Sequence, residues 1–147
     1  MTRTPPTATD EDWTRPEAYR HWLDERVRYS DLDPNDHANN GAIASYVEAS
    51  RVAMFEHANP AIAAANGAFV IVRLVVDFKA ELRYGQKIRI GGRFERFGNT
   101  STLARTGLFR GDDCVAVAEA VLVLIDRTTR RPTPLSPDVR AALAVHA

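Results

Sequence analysis

Cysteine is almost absent from this chain. Cys114, alone among 147 residues, excludes an internal disulfide and a cysteine-based metal site. Its neighbours Val115 and Val117 place it on a strand, where it reads as an inert core thiol rather than a nucleophile. Net charge is also missing. The 19 Lys and Arg balance 19 Asp and Glu, so no broad field of one sign favours nucleic acid or an acidic membrane. No apolar run approaches the roughly 20 residues that span a bilayer. Residues 1–13 are polar and acidic, contain Pro5-Pro6, and lack the apolar stretch of a secretory leader. These absences make a cytoplasmic protein without metal, nucleic-acid or membrane partner the expectation.

What is present suffices for one domain with its own core. Residues 1–14 are expected to form a disordered tail and residues 15–147 a single domain. Thr14-Arg15-Pro16-Glu17 has the capping-box pattern and predicts a short helix to about Trp22. Residues 25–30 read as the first strand, with Val27 and Tyr29 on one face. Asn39 or Asn40 can cap a helix over about 40–57 that ends before Asn59-Pro60. That helix is small or apolar nearly all round, which predicts burial on every side. Residues 61–67 suggest one weak helical turn.

The period then changes. Residues 69–78 read as a strand covered on both faces. Residues 87–97 alternate, with Ile88, Ile90, Gly92 and Phe94 inward. Strands follow over 101–110 and 114–126, the last with Val115, Val117, Val121, Val123 and Ile125 on one side, and a small helix over 138–145 closes the chain. The order is a strand, a long helix, then four strands in a meander. A sheet that must cover one helix curls around it, yet four or five strands cannot both wrap the helix and protect their own edges. A homodimer joining two sheets edge to edge answers that problem.

Chemistry concentrates just before the long helix, in Asp31-Leu32-Asp33-Pro34-Asn35-Asp36-His37-Ala38-Asn39-Asn40. Carboxylates, carboxamides and an imidazole there would face the unpaired amides of a helix start. Such a set can hold a water molecule and stabilise a negative oxygen, which is what ester or thioester cleavage needs.

The run from Arg28 to Asn40, followed by Tyr46-Val47-Glu48-Ala49-Ser50-Arg51, resembles the hot-dog-fold thioesterases. The similarity is to the 4-hydroxybenzoyl-CoA thioesterase-like enzymes and to the plant and bacterial acyl carrier protein thioesterases. Weaker likenesses follow in Phe78-Lys79-Ala80-Glu81-Leu82-Arg83-Tyr84-Gly85-Gln86-Lys87-Ile88, in Ala116-Val117-Ala118-Glu119 with Val121-Leu122-Val123, and in Arg130-Arg131-Pro132-Thr133-Pro134-Leu135. The resemblance implies an α+β hot-dog fold, with an antiparallel sheet wrapped around one long helix. It implies a homodimer, which can pair further into a homotetramer, with two active sites at the interface. It also implies hydrolysis of an acyl thioester with no metal or organic cofactor, coenzyme A or the pantetheine of an acyl carrier protein being the handle of the substrate.

Carried over by residue, Asp33 matches the catalytic carboxylate, either a base for water or a nucleophile that forms a mixed anhydride. Asn35 and His37 match residues that orient water or polarise the carbonyl. Asn40 occupies the helix-start position whose backbone N–H serves as oxyanion donor, with the Gly41 N–H next in line; helix-end physics supports this independently. Glu48 matches a helix glutamate used in some groups as the base, its bland alternative being an ion pair with Arg51. Arg83, Arg130 and Arg131 are candidates for coenzyme A phosphates, as are Arg73, Arg105 and Arg127. Asp36 stands where relatives commonly carry glycine and reads as a solvated turn residue. Ile43 replaces a frequent aromatic. His21, His57 and His146 read as bland.

Two other functions fit the same pattern. Hydratases share the fold, but their Asp and His are five residues apart, against four for Asp33 and His37. A non-catalytic acyl-CoA sensor would keep the pocket without needing the acid.

Overall fold

The structure, a computed structural model, describes residues 12–147. Asn39 starts the central helix: its Oδ1 accepts the Ala42 amide at 2.7 Å, and the chain continues as α1, Asn40–Glu56. Asn39 rather than Asn40 is therefore the cap. A new helix, α2, Asn59–Ala64, begins with Pro60 in its first turn, where the missing N–H costs nothing. The remaining elements are β1 (His21–Arg26), β2 (Gly67–Phe78), β3 (Lys87–Phe97), β4 (Ser101–Arg110), β5 (Asp113–Asp126) and α3 (Pro137–Ala144). They form one antiparallel sheet in the order β1-β3-β4-β5-β2, wrapped around α1. The wrapped-helix α+β architecture expected from the resemblance is thus present.

Several expectations need correction. The predicted helix to Trp22 is only a 3-10 turn, Pro16–Ala18, because Tyr19 turns extended onto the sheet. The first strand lies earlier than residues 25–30. It pairs His21 through Arg26 with Gly92 through Lys87, after which a 3-10 turn, Tyr29–Asp31, takes over. Trp13 and Thr14, assigned to the tail, are packed or hydrogen-bonded: the Trp13 carbonyl accepts from the Tyr19 hydroxyl at 2.7 Å, and Thr14 bonds Asp12. The rest of that predicted tail, residues 1–11, lies outside the described residues.

The meander holds only for β3-β4-β5. β2 pairs with β5 at the opposite edge from β1, and residues 79–86 carry the chain across. β2 is therefore an edge strand rather than one covered on both faces. Ile71, Val72, Leu74 and Phe78 are exposed along it, with Val72 in a bulge opposite β5. The helix-facing side of β5 also differs. Ala116, Ala118, Ala120, Leu122 and Leu124 are its buried row, shared between the two halves of the inner core.

Paired glycines set the spacing of the layers. A Cβ on Gly92 would meet Ser50 Oγ at 2.5 Å and Met54 Sδ at 2.8 Å, so α1 is pressed against β3 there. Gly91 and its partner Gly107 face the other side, where the buried Tyr19 ring lies over both among Trp13, Trp22 and Phe109. The inner core divides in two. Val27, Ile43, Val47, Leu82 and Ile90 pack around the start of α1, and Met54, Phe94, Leu124, Val139 and Leu143 around its end. Cys114 is half-buried, and burial pushes its thiol above the ordinary range, as suits an inert strand residue.

Gly92→Val should separate α1 from β3. Urea unfolding is expected to show a loss of about 1–3 kcal/mol or more, whereas an unchanged midpoint would mean that the close approach is not needed.

Candidate active site

The polar segment is folded by its own backbone. The Val27 amide bonds the Gln86 carbonyl at 3.0 Å and the Gly85 amide returns to Val27 at 2.9 Å, fastening the end of β1 to residues 79–86. Leu32 and Ala38 pair as an isolated bridge, and the Asp33 amide donates to the His37 carbonyl at 2.8 Å. The hairpin so formed needs one left-handed residue. Asp36 supplies it at φ 63°, which explains why glycine would be at home in this position. The Ala38 amide then reaches the Leu82 carbonyl at 2.7 Å, and the Asn39 amide the Asp31 carbonyl at 2.8 Å.

The three acids have separate tasks. Asp31 is structural: its Oδ2 accepts the Arg28 amide at 2.9 Å and a short bond from the Tyr46 hydroxyl, tying the loop to α1. Asp36 is an exposed turn residue. Asp33 is half-buried. Its Oδ1 accepts the amides of Asn35 at 2.8 Å and His37 at 3.3 Å, and its Oδ2 has no partner among the described residues. The loop-capping role and an available carboxylate oxygen therefore coexist in one side chain.

His37 does not bond the loop to itself through its ring. Its Nε2 lies 3.0 Å from Glu81 Oε2, across the gap to residues 79–86. Sequence reasoning missed Glu81. It sits in a stretch matched as a whole, 44 residues from His37, and only the fold joins them. An Nε2–H held by a carboxylate fixes the orientation of the imidazole and leaves Nδ1 as the acceptor. The side chain of Asn35 is exposed on the same loop.

Asn40 and Gly41 open α1 and are both exposed. The first backbone bond of the helix is from Ile43 to Asn39, and Asn39 Oδ1 takes the Ala42 amide, so the amides of Asn40 and Gly41 have no partner among the described residues. They carry the partial positive charge of a helix start, directly after the loop that carries Asp33.

Glu48 lies two turns farther along. Contrary to the expectation of a helix buried on every side, Gly41, Ser45, Glu48 and Val52 form an exposed stripe. The Glu48 side chain is 70% exposed and 3.9 Å from the buried Arg51. Within one protomer it does not touch Asp33 or His37. Arg83 is at the same end as the loop, exposed and 3.9 Å from Glu81. Arg130 and Arg131 are at the other end of the sheet: their turn follows Asp126, which pairs with Gly67, while Phe78 ends the same ladder. Arg73 and Arg105 are engaged with Glu119 and Glu95 in an ion-pair chain, and Arg127 Nε donates to the Gly67 carbonyl at 2.7 Å. His21 and His146 pack ring to ring at 4.9 Å, and burial holds His146 below the usual histidine range. Among the described residues no three His, Cys, Asp or Glu are grouped to hold a metal, and no helix is long and apolar enough to cross a membrane.

A family model for the thioesterase-like superfamily matches residues 27–143, and the chain belongs to that superfamily. Solved structures of hot-dog thioesterases share its architecture. YbaW, a probable thioesterase from Escherichia coli, superposes with a TM-score of 0.80 at 22% identity, covering 86% of this chain and 98% of that one. A predicted thioesterase from Bacillus stearothermophilus is 28% identical with a TM-score of 0.79, covering 86% and 95%. A Thermus thermophilus thioesterase complexed with coenzyme A and Zn is 27% identical with a TM-score of 0.76, covering 85% and 98%. No curated protein sequence matches.

The Tyr46 tie carries a prediction about stability. Burial, first, and then the bond to Asp31 push the Tyr46 hydroxyl above the ordinary value of 10.0, and burial does the same for Tyr19. The folded state thus keeps protons that the unfolded chain releases near pH 10, so stability present below pH 10 is lost as pH rises beyond it. Tyr46→Phe should make that alkaline decline shallower in urea titrations, while costing about 1–3 kcal/mol at neutral pH through the stranded Asp31 carboxylate. An unchanged slope and midpoint would remove Tyr46 as the tie.

Proposed function

We propose that this member of the thioesterase-like superfamily hydrolyses acyl-CoA thioesters, with Asp33 as base or nucleophile and the first amides of α1 as oxyanion donors. The observation that carries the reading is a half-buried carboxylate with one uncommitted oxygen, on a loop fastened at both ends beside a bare helix start. In the general-base route, water adds to the thioester carbon as its proton passes to Asp33. The negative oxygen settles on the Asn40 and Gly41 amides, where fixed donors need no rearrangement. Collapse breaks the C–S bond, and the departing sulfur takes up a proton. His37, steadied by Glu81, and Asn35 orient the water or the carbonyl. In the nucleophilic route the same Asp33 oxygen attacks carbon, and water then opens the mixed anhydride.

A second copy completes this arrangement in our reading. Val52, Ile71, Val72, Leu74 and Phe78 are exposed along the bare side of α1 and the edge strand. Covering five such side chains contributes on the order of 5 kcal/mol, and pairing β2 with a second β2 also satisfies the open edge. Antiparallel pairing would bring the Gly67 end of one copy, with its Arg130 and Arg131, to the Phe78 end of the other. Those arginines would then flank the partner's site, and Glu48 would face the seam. Coenzyme A bound by the Thermus thermophilus neighbour supports the choice of carrier.

Free-thiol release from a panel of aryl, short and long acyl-CoA substrates is expected for the native chain. Asp33→Asn should lower kcat by about 100-fold or more, and Glu81→Gln by about 10-fold. The carboxamide introduced by Asp33→Asn would retain an acceptor for the loop amides, so the fold should persist. Binding of every panel member without release would replace the hydrolase by an acyl-CoA sensor, and full activity of Asp33→Asn would remove the carboxylate from the chemistry.

A further inference from the structure

We infer that Tyr29 and Tyr84 form a seat for the adenine ring of coenzyme A, flanked by Arg28 and Arg83 for its phosphates. The inference rests on the acyl-CoA reading for its choice of ligand, but its geometry is independent of the reaction. Tyr29 is 80% and Tyr84 66% exposed, the two most exposed large apolar side chains of the described residues. They are not scattered. Their rings meet edge to face, with centroids 6.3 Å apart and planes at 82°.

The backbone beneath them is fixed. Tyr29 opens the 3-10 turn that Asp31 closes, and Tyr84 lies in the turn whose Gly85 amide bonds Val27 and whose Arg83 amide bonds Gln86 Oε1 at 2.8 Å. An exposed aromatic pair on a rigid base loses little freedom when a flat ring stacks on it, which makes it a suitable platform for a nucleobase. Apolar area alone would not choose a nucleotide, but the cations beside the rings do. Arg28 precedes Tyr29 and Arg83 precedes Tyr84, their side chains 68% and 61% exposed. Among the described residues their carboxylate contacts are loose, Glu25 at 3.6 Å and Glu81 at 3.9 Å. A guanidinium so placed can exchange a screened surface pair for a phosphate.

The seat is continuous with the site. Tyr29 is four residues before Asp33, so the two Cα atoms are at most about 14 Å apart. One folded pantetheine arm spans such a gap between a stacked adenine and a thioester beside Asp33. A thioester carried on an acyl carrier protein has no nucleotide and would leave the seat empty, so this feature distinguishes the two carriers.

The test uses adenosine 3′,5′-bisphosphate, which is the nucleotide end of coenzyme A without the arm, in equilibrium titrations against the full chain. Saturable binding is expected, weakened about 10- to 100-fold in the Tyr29→Ala/Tyr84→Ala double variant. A second arm compares kcat/KM for one acyl group carried on coenzyme A and on pantetheine. The native chain should prefer coenzyme A, and the double variant should lose that preference. Arg28→Gln/Arg83→Gln should weaken the bisphosphate and leave adenosine binding unchanged. No bisphosphate binding by the native chain, or equal binding by the double variant, overturns the seat. So does dissociation of the oligomer on Tyr29→Ala/Tyr84→Ala in sedimentation, which would make the pair a contact between copies. Tyrosine-dependent bisphosphate binding without hydrolysis of any thioester would uphold the seat while defeating the hydrolase reading.

Discussion

The structure depends on one mismatch: a sheet of five strands cannot both wrap α1 and cover its own edge at β2. The sheet curls as far as its order β1-β3-β4-β5-β2 allows. Gly92 lets β3 close tightly on Ser50 and Met54. The opposite side of the helix is left bare, and so is the outer edge at β2. Burial is incomplete at both places: Val52 on the helix and Ile71, Val72, Leu74 and Phe78 on the strand are exposed. Gly41 at the helix start and Glu48 belong to one exposed stripe of α1, which begins directly after the Asp33 loop. The uncovered stripe of the helix and the candidate site therefore adjoin.

Preorganisation of the loop follows from where its backbone bonds go. Between Val27 and Asn39 every amide except those of Tyr29 and Ser30 has a partner among the described residues. These partners are the carboxylates of Asp31 and Asp33, carbonyls within the 3-10 turn and the hairpin, and the carbonyls of Leu82 and Gln86. The one strained residue, Asp36, allows the hairpin to close. Such a loop holds a carboxylate in place before any ligand arrives, which is the condition under which fixed charges lower a barrier. Tyr46 extends this order into the helix, because its hydroxyl ties Asp31 of the loop to α1.

Much of this was legible in the sequence because it is local. The cap at Asn39, the length of α1, and the alternation of β3 are signals within a few residues of the structure they specify. The failures have physical reasons too. Val27 and Tyr29 alternate like a strand, yet Asp31 captures the Arg28 amide and turns the chain before a strand can continue. A strand buried within the sheet and this edge strand carry the same run of apolar residues, so residues 69–78 could not declare which they were. Glu81 escaped notice because its significance lies entirely in a partner on another loop. Asp33, Asn35, His37 and Asn40 share one loop and the helix start it leads into, as their spacing requires, whereas Arg130 and Arg131 are brought near them only by invoking another subunit.

Glu48 and Asp33 differ in how firmly their chemistry can be separated from the fold. Arg51 is buried on α1, its Nη1 has no hydrogen-bond partner, and Glu48 is its one carboxylate neighbour among the described residues. Burial presses the guanidinium below its ordinary range and the Glu48 charge opposes that shift. Neutralising Glu48 therefore withdraws the compensation for a buried cation as well as any share in proton transfer, and the two losses are coupled through one contact. Asp33 also serves the fold, but only through Oδ1 as an acceptor of amides. An amide side chain preserves that acceptor while abolishing the charge and the basic oxygen. Asp33, and not Glu48, is thus the position where a single isosteric change separates the carboxylate charge from the scaffold that holds it.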